Sequence, residues 1–406
     1  MRKGLLAGTA LAATLATGAT ALLPARVEEA SRMVEAVRGR RFERVVPASE
    51  MGQAELRRVL QAKIAEAFPA PVEDVMRALA TLGLVEESPN LVDRLLDFYV
   101  SQVVAFYDPE PRRFFVIRGA ENAFEGAGME AMADRLILSH ELMHALQDES
   151  LRLDRRLKEL RDNTDRTLAL ECLLEGEATL VMVRVALNDI PGASEEAEEM
   201  LAPLLSAGAL EKANVPKDIP EYFVEQLFFP YTEGTAYVRR AIAKGGWAEV
   251  DRLWRSPPLS TSEILHDGPP IAPATDLLPA DAAPLAPSGL RPLFSDTLGE
   301  WTIRFLLRRT LPDEDADAAA EGWRGDRIVF FSSVGGPRSA FLWRIRFDSP
   351  GSAARFETAW GRLKRRRPAE EAIARSGREI LITHGFAKVP ELPGFPRRVP
   401  AVASAR

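Results

Sequence analysis

Ser139-His140-Glu141-Leu142-Met143-His144 sets two imidazoles four residues apart with a carboxylate between them. On an α-helix, positions i and i+4 share a face, so His140 and His144 can present two nitrogens to one metal ion. Glu141 falls one residue on, beside that ion rather than on it. Two neutral imidazoles suit zinc, and a carboxylate next to a zinc-bound water can take its proton, which is the start of hydrolytic chemistry. The chain has only four histidines, so this spacing is seldom met by chance. Leu136, Ile137, Leu138, Leu142, Met143 and Leu146 surround the pair and predict a buried helix, where imidazoles without partners are costly.

A catalytic zinc keeps three protein ligands and an open position for water. A third ligand must therefore come from elsewhere. Thr167 to Met182 reads as a second apolar helix with Glu171, Glu175 and Glu177 set among leucines. Burying an ionised carboxylate there is expensive unless a cation compensates. Glu175 is the first choice, since Gly176 next to it would let this helix come close to the first. Glu171, one turn earlier on the same face, is the rival. Glu177 points about 200° away from Glu175 and is expected to face solvent or the far side of the site. Cys172, the single cysteine, reads as a small buried apolar residue.

His-Glu-x-x-His followed by Glu175-Gly176-Glu177-Ala178 on a later helix resembles the gluzincin branch of zinc metallopeptidases, the group that includes thermolysin-like enzymes. Val104 to Pro109, Phe229 to Gly234, Ser260 to His266 and Gly322 to Arg327 extend a resemblance to exported bacterial proteins with this motif over most of the chain after residue 90. The resemblance implies His140, His144 and Glu175 as zinc ligands and Glu141 as general base. Thermolysin-like enzymes place an aspartate four residues after the ligand glutamate, where this chain has Thr179. Gln147 or Asp148, near the histidine face, could orient an imidazole N–H in its place. A zinc peptidase also needs a donor for the oxyanion, and Tyr231 and His266 are the candidates. The family's Leu-His-Pro reads Leu265-His266-Asp267 here.

These residues need a frame. Residues 28–67 read as helices, followed by another from Leu91 to about Val100. Gln102 to Tyr107 and Arg113 to Ile117 read as two strands joined by the turn Asp108-Pro109-Glu110-Pro111. In the resembled enzymes such a strand runs beside the cleft, where its edge can pair with an extended peptide. The run after Phe229-Pro230 reads as a helix closed by Gly245-Gly246. Residues 268–293, rich in proline and alanine, read as an irregular wrap or linker. Beyond them lie a helix near Trp301 to Leu307, strands at 328–332, 340–347 and 379–384, and a helix at 352–365. The expected fold is α+β and mainly helical: a zincin-like metallopeptidase domain at 26–267 and a small α+β domain at 294–406.

The 46% hydrophobic share of this 406-residue chain is that of a globular protein, and its net charge of −7 gives no footprint for nucleic acid. The basic run Lys364-Arg365-Arg366-Arg367 reads as a solvated helix end. Arg2 and Lys3 precede an apolar segment from Leu5 to about Leu23, with a small-residue cleavage pattern at Ala19-Thr20-Ala21. Residues 1–25 are thus expected as a secretory signal or an uncleaved N-terminal anchor, placing the protein in the periplasm or outside the cell. The leading expectation is an exported zinc peptidase acting on peptides or proteins. Its rivals are a non-catalytic exported zinc-binding or envelope-interaction protein and an amidase of cell-wall peptides.

Overall fold

The structure, a computed structural model, describes residues 23–119, 130–188, 197–198, 215–333, 336–364 and 371–395. Residues 1–22 of the expected signal segment and 365–367 of the basic run lie outside them. The elements are α1 (Leu23–Arg38), β1 (Ala48–Gly52), α2 (Gln53–Ala67), α3 (Val72–Leu82), α4 (Leu91–Gln102), β2 (Ala105–Asp108), β3 (Arg113–Arg118), α5 (Glu130–Leu151), α6 (Leu153–Glu159) and α7 (Thr164–Asn188). They continue with α8 (Glu221–Arg255), α9 (Thr261–Leu265), β4 (Arg291–Asp296), α10 (Gly299–Arg308), α11 (Asp313–Ala320), β5 (Trp323–Ser332), β6 (Ser339–Phe347), α12 (Pro350–Lys364), β7 (Glu371–Ser376) and β8 (Glu379–His384). The chain is α+β and mainly helical, as its patterning predicts.

Among the described residues, one unit takes those within Met1–Ala67, Pro89–Leu160 and Thr167–Pro258, and the other those within Phe68–Ser88, Arg161–Arg166 and Leu259–Arg406. The units interleave along the chain, where the sequence reading expects consecutive domains. α3 is one reason: Val75, Met76, Ala78, Leu79 and Leu82 are buried, and the helix packs on β5 and β6 of the second unit. An amphipathic stripe shows that a helix has a core to face, but not which core.

In the first unit, α5 and α7 are apolar around most of their circumference, which forces them inside. Leu138, Leu142, Met143 and Leu146 of α5, and Leu170, Leu173, Leu174 and Val181 of α7, are buried. The expected hairpin forms, with Ala105–Asp108 antiparallel to Arg113–Arg118. β1, inside a stretch expected to be helical, pairs parallel with β3 and completes a sheet of order β1-β3-β2. Its five residues lack a strong alternation, and its partner lies some sixty residues away, so tertiary pairing overrides local preference. α8 starts earlier than expected, at Glu221, and contains Pro230, which has no N–H to offer the carbonyl of Gln226. It breaks at Gly245-Gly246, where Gly246 takes a φ of 63°.

In the second unit, a five-stranded sheet runs β4-β5-β6-β8-β7, every pair antiparallel. Trp343 and Phe347 on one face meet Trp360 and Phe356 of α12, with ring centroids 5.6 and 5.3 Å apart. Val329, Phe331, Ala340 and Leu342 on the other face are covered by Leu278 and Ala282. The proline- and alanine-rich stretch is therefore a wrap belonging to this unit. Both faces are covered, which explains why β6 is apolar at successive positions. His384 ends β8, its ring stacked on Phe341.

Candidate metal centre

His140, Glu141 and His144 on α5 form a buried group able to hold a metal ion, with ligand atoms within 4.8 Å of one another. Glu175 of α7 comes closer still to both rings. Its Oε2 lies 3.1 Å from His140 Nε2 and 3.4 Å from His144 Nε2, and the two nitrogens are 3.2 Å apart. Ligands bound at about 2.0–2.1 Å around a tetrahedral ion stand roughly 3.3 Å from one another. The three edges match that spacing, so the triangle His140–His144–Glu175 fits one small cation. Glu171, the rival third ligand, is buried on α7, where its charge helps raise the pKa of Tyr99.

The helices meet here because both glycines that the crossing needs are present. A Cβ on Gly176 would lie 2.2 Å from the carbonyl carbon of Gly234, and one on Gly234 would lie 2.3 Å from Cys172 O. The close approach that Gly176 allows is thus to α8, not to α5 as its place beside Glu175 suggests. Tyr231, one turn before Gly234, stacks on His140 with ring centroids 6.1 Å apart and planes 21° from parallel. Cys172 is fully buried at the same crossing, as expected of a small apolar residue.

Charge in the site is self-consistent. Burial, the largest influence, disfavours the charged form of His144, yet the Glu175 and Glu141 carboxylates and the hydrogen bonds to Glu175 and Gln147 together carry its pKa up to about 9. Burial likewise works against ionised Glu175, but His144 and His140 hold its pKa down at about 2. Without metal, the two form an imidazolium–carboxylate pair. Glu141 stands apart from that pair: its Oε2 accepts the backbone N–H of Tyr107 on β2 at 2.8 Å. That hydrogen bond ties the carboxylate to the hairpin and leaves its other oxygen outside it.

Of the two residues expected to orient an imidazole, Gln147 does so, its Oε1 2.9 Å from His144 Nδ1. Asp148 is used elsewhere, accepting from Tyr107 Oη at 3.0 Å and from Leu153 N at 2.7 Å. Thr179 Oγ1 and His140 Nδ1 have no hydrogen-bond partner among the described residues. His140 is oriented instead by its stacking on Tyr231. Glu177, expected toward solvent or the far side of the site, is fully buried, because α7 has no exposed face at that level.

The site residues expected from sequence divide between the two units. His140, Glu141, His144, Glu175 and Tyr231 come together in the first. His266 belongs to the second, just past α9, where its Nε2 lies 2.7 Å from Glu300 Oε1 and that bond raises its pKa. What sequence reading misses is the support: the Tyr107 N–H on Glu141, and Arg38 of α1, buried and paired with Glu177 at 2.6 Å. A basic residue near the end of the first helix gives no local sign of so distant a partner.

Residues 291–390 match a family described as a domain of unknown function (DUF8575). The match covers all five strands of the second unit's sheet and none of the residues around His140. No curated protein and no solved structure matches the chain.

Proposed function

We propose that this protein is a gluzincin-type zinc peptidase with Glu141 as general base. The supporting observation is the triangle of His140 Nε2, His144 Nε2 and Glu175 Oε2, with edges of 3.1, 3.2 and 3.4 Å, buried beside a carboxylate that is not part of it. His140, His144 and Glu175 would hold the ion, which when bound supplies a Lewis acid that acidifies water and polarises a carbonyl. Two imidazoles and one carboxylate suit zinc's preference for nitrogen and oxygen donors at short, tetrahedral distances.

Glu141 then has the acid–base work. Its carboxylate takes a proton as water adds to the peptide carbonyl and returns it to the departing amine. The Tyr107 N–H fixes this carboxylate on the side of the site where β2 passes. A purely structural metal site has no use for such a base, which favours a hydrolase over a non-catalytic binding protein. Tyr231 lies against His140 within the site and is the expected oxyanion donor that this unit supplies, while His266 is engaged with Glu300 in the other unit. The substrates would be peptides or proteins met after export, and amide bonds of cell-wall peptides fall within the same chemistry.

Metal analysis and peptide hydrolysis test this reading together. The mature protein is expected to carry about one zinc per chain and Glu175→Ala to lose it, since catalytic zinc sites use three protein ligands. Glu141→Gln is expected to retain the metal while activity drops by at least about 100-fold. A wild-type protein that binds no zinc, or a Glu141→Gln variant as active as wild type, would defeat the proposal.

A further inference from the structure

We infer that Glu177, gripped by Arg38 and Trp254, is a positioning residue that decides which nitrogen of His144 carries the proton, by fixing the direction of the Gln147 amide. The inference rests on the metal-centre reading above. It starts from a buried primary amide whose two ends are easily exchanged unless its neighbours distinguish them.

The neighbours of Gln147 do distinguish them. Its Nε2 lies 3.0 Å from Leu174 O and 2.8 Å from Glu177 Oε2. A backbone carbonyl and a carboxylate can only accept, so both amide protons are directed there. Oε1 is left facing His144 Nδ1 at 2.9 Å, and it too can only accept. Nδ1 must therefore bear a hydrogen. When His144 gives up its second proton to bind metal, the lone pair falls on Nε2, the atom that completes the triangle with His140 and Glu175. Reversing the amide would set an oxygen against Leu174 O and Glu177, and its N–H groups against the imidazole. In a fully buried place that is a heavy cost.

Glu177 can exert this choice only if it stays fixed and its charge is balanced. Arg38 Nε donates to its Oε1 at 2.6 Å and Trp254 Nε1 to its Oε2 at 2.8 Å. Arg38 is itself held by Asp251 Oδ1, 2.6 Å from its Nη2, and its guanidinium lies over the rings of Trp247 and Trp254 at 4.6 and 4.8 Å. Donors of fixed kind thus act on an acceptor of fixed kind. The pattern runs Arg38 and Trp254 to Glu177, Glu177 to Gln147, and Gln147 to His144.

Altering either end of the Gln147–Glu177 contact supplies the test. Zinc affinity is measured by chelator competition for wild type, Glu177→Gln and Gln147→Glu, and the nitrogen-15 signals of His144 are read for zinc-loaded wild type and Glu177→Gln. Each change is expected to weaken zinc binding about 10- to 100-fold. Wild-type His144 should show its hydrogen on Nδ1, and the Nδ1 signal should shift in Glu177→Gln as the amide loses its fixed direction. The wild-type spectrum needs no variant to fold, and a hydrogen on Nε2 would overturn the inference. So would zinc binding equal in all three proteins, or a His144 spectrum unchanged by Glu177→Gln. Failure of the wild type to bind zinc at all would instead defeat the metal-centre reading, and the inference with it.

Discussion

Gly176→Ala tests whether the helix crossing sets the metal geometry. The added methyl would stand 2.2 Å from both the carbonyl carbon and oxygen of Gly234, and 2.7 Å from Thr235 N. Relaxed carbon contacts lie at about 3.5–4.0 Å. All three obstructing atoms are backbone, so no side-chain rotation relieves the clash and α7 must draw back from α8 by roughly 1 Å or more. Overpacking of this kind costs about 1–3 kcal/mol, and backbone against backbone belongs at the upper end. Glu175 is the adjoining residue. A shift of that size exceeds the roughly 0.2 Å within which metal–ligand distances must be met, so zinc affinity should fall at least about tenfold. Denaturant unfolding gives the first quantity and chelator competition the second. Gly361→Ala is the control: its helix position on α12 has nothing within 4 Å, so alanine there should stabilise slightly. A Gly176→Ala protein as stable and as tight for zinc as wild type would refute the argument that the glycine crossing places Glu175.

The remaining predictions concern protons. His144 must give up its proton to bind metal, and its pKa of about 9 means that apparent zinc affinity should fall about tenfold per unit as pH drops below that value. Calorimetry near pH 7 in buffers of different ionisation enthalpy should show close to one proton released per zinc, where an unperturbed imidazole would release far less. In the metal-free protein the same shift stabilises the fold fully below the unfolded histidine pKa of about 6.5, and that contribution fades as pH rises through about 9. Asp165, in the second unit, is a separate case: burial outweighs the two hydrogen bonds from Thr261 and takes its pKa up to about 8. A carboxyl that stays protonated in the fold but ionises in the unfolded chain makes stability decline as pH climbs from about 4 to about 8. Asp165→Asn should flatten that decline in denaturant titrations at pH 5 and 8, and an unchanged slope would count against the assignment.

The parts of the site that were legible from sequence share a property: they are local. His140 and His144 share a face because they are four apart on one helix, and Glu141 stands beside them by the same geometry. Glu175 was legible by chemistry, as a carboxylate among leucines that needs a cation. Gln147 was legible as a near neighbour on the histidine face. The orientation of Glu177 was not, because a helix buried on every side gives no solvent direction to read. Nor was the role of Gly176, whose missing side chain serves a third helix far along the chain.

The sequence by itself determined the α+β, mainly helical class and the donor types at the four central residues, since periodicity and residue type are properties of short windows. The tertiary structure decided what depends on distant partners. It drew β1 into a parallel pair with β3, assigned α3 and the proline-rich wrap to the second unit, and set His266 beside Glu300. It also brought Arg38 to Glu177 across 139 positions of chain. Such pairings follow from which apolar faces and buried charges must be satisfied together in one core, a condition that no single stretch of residues contains.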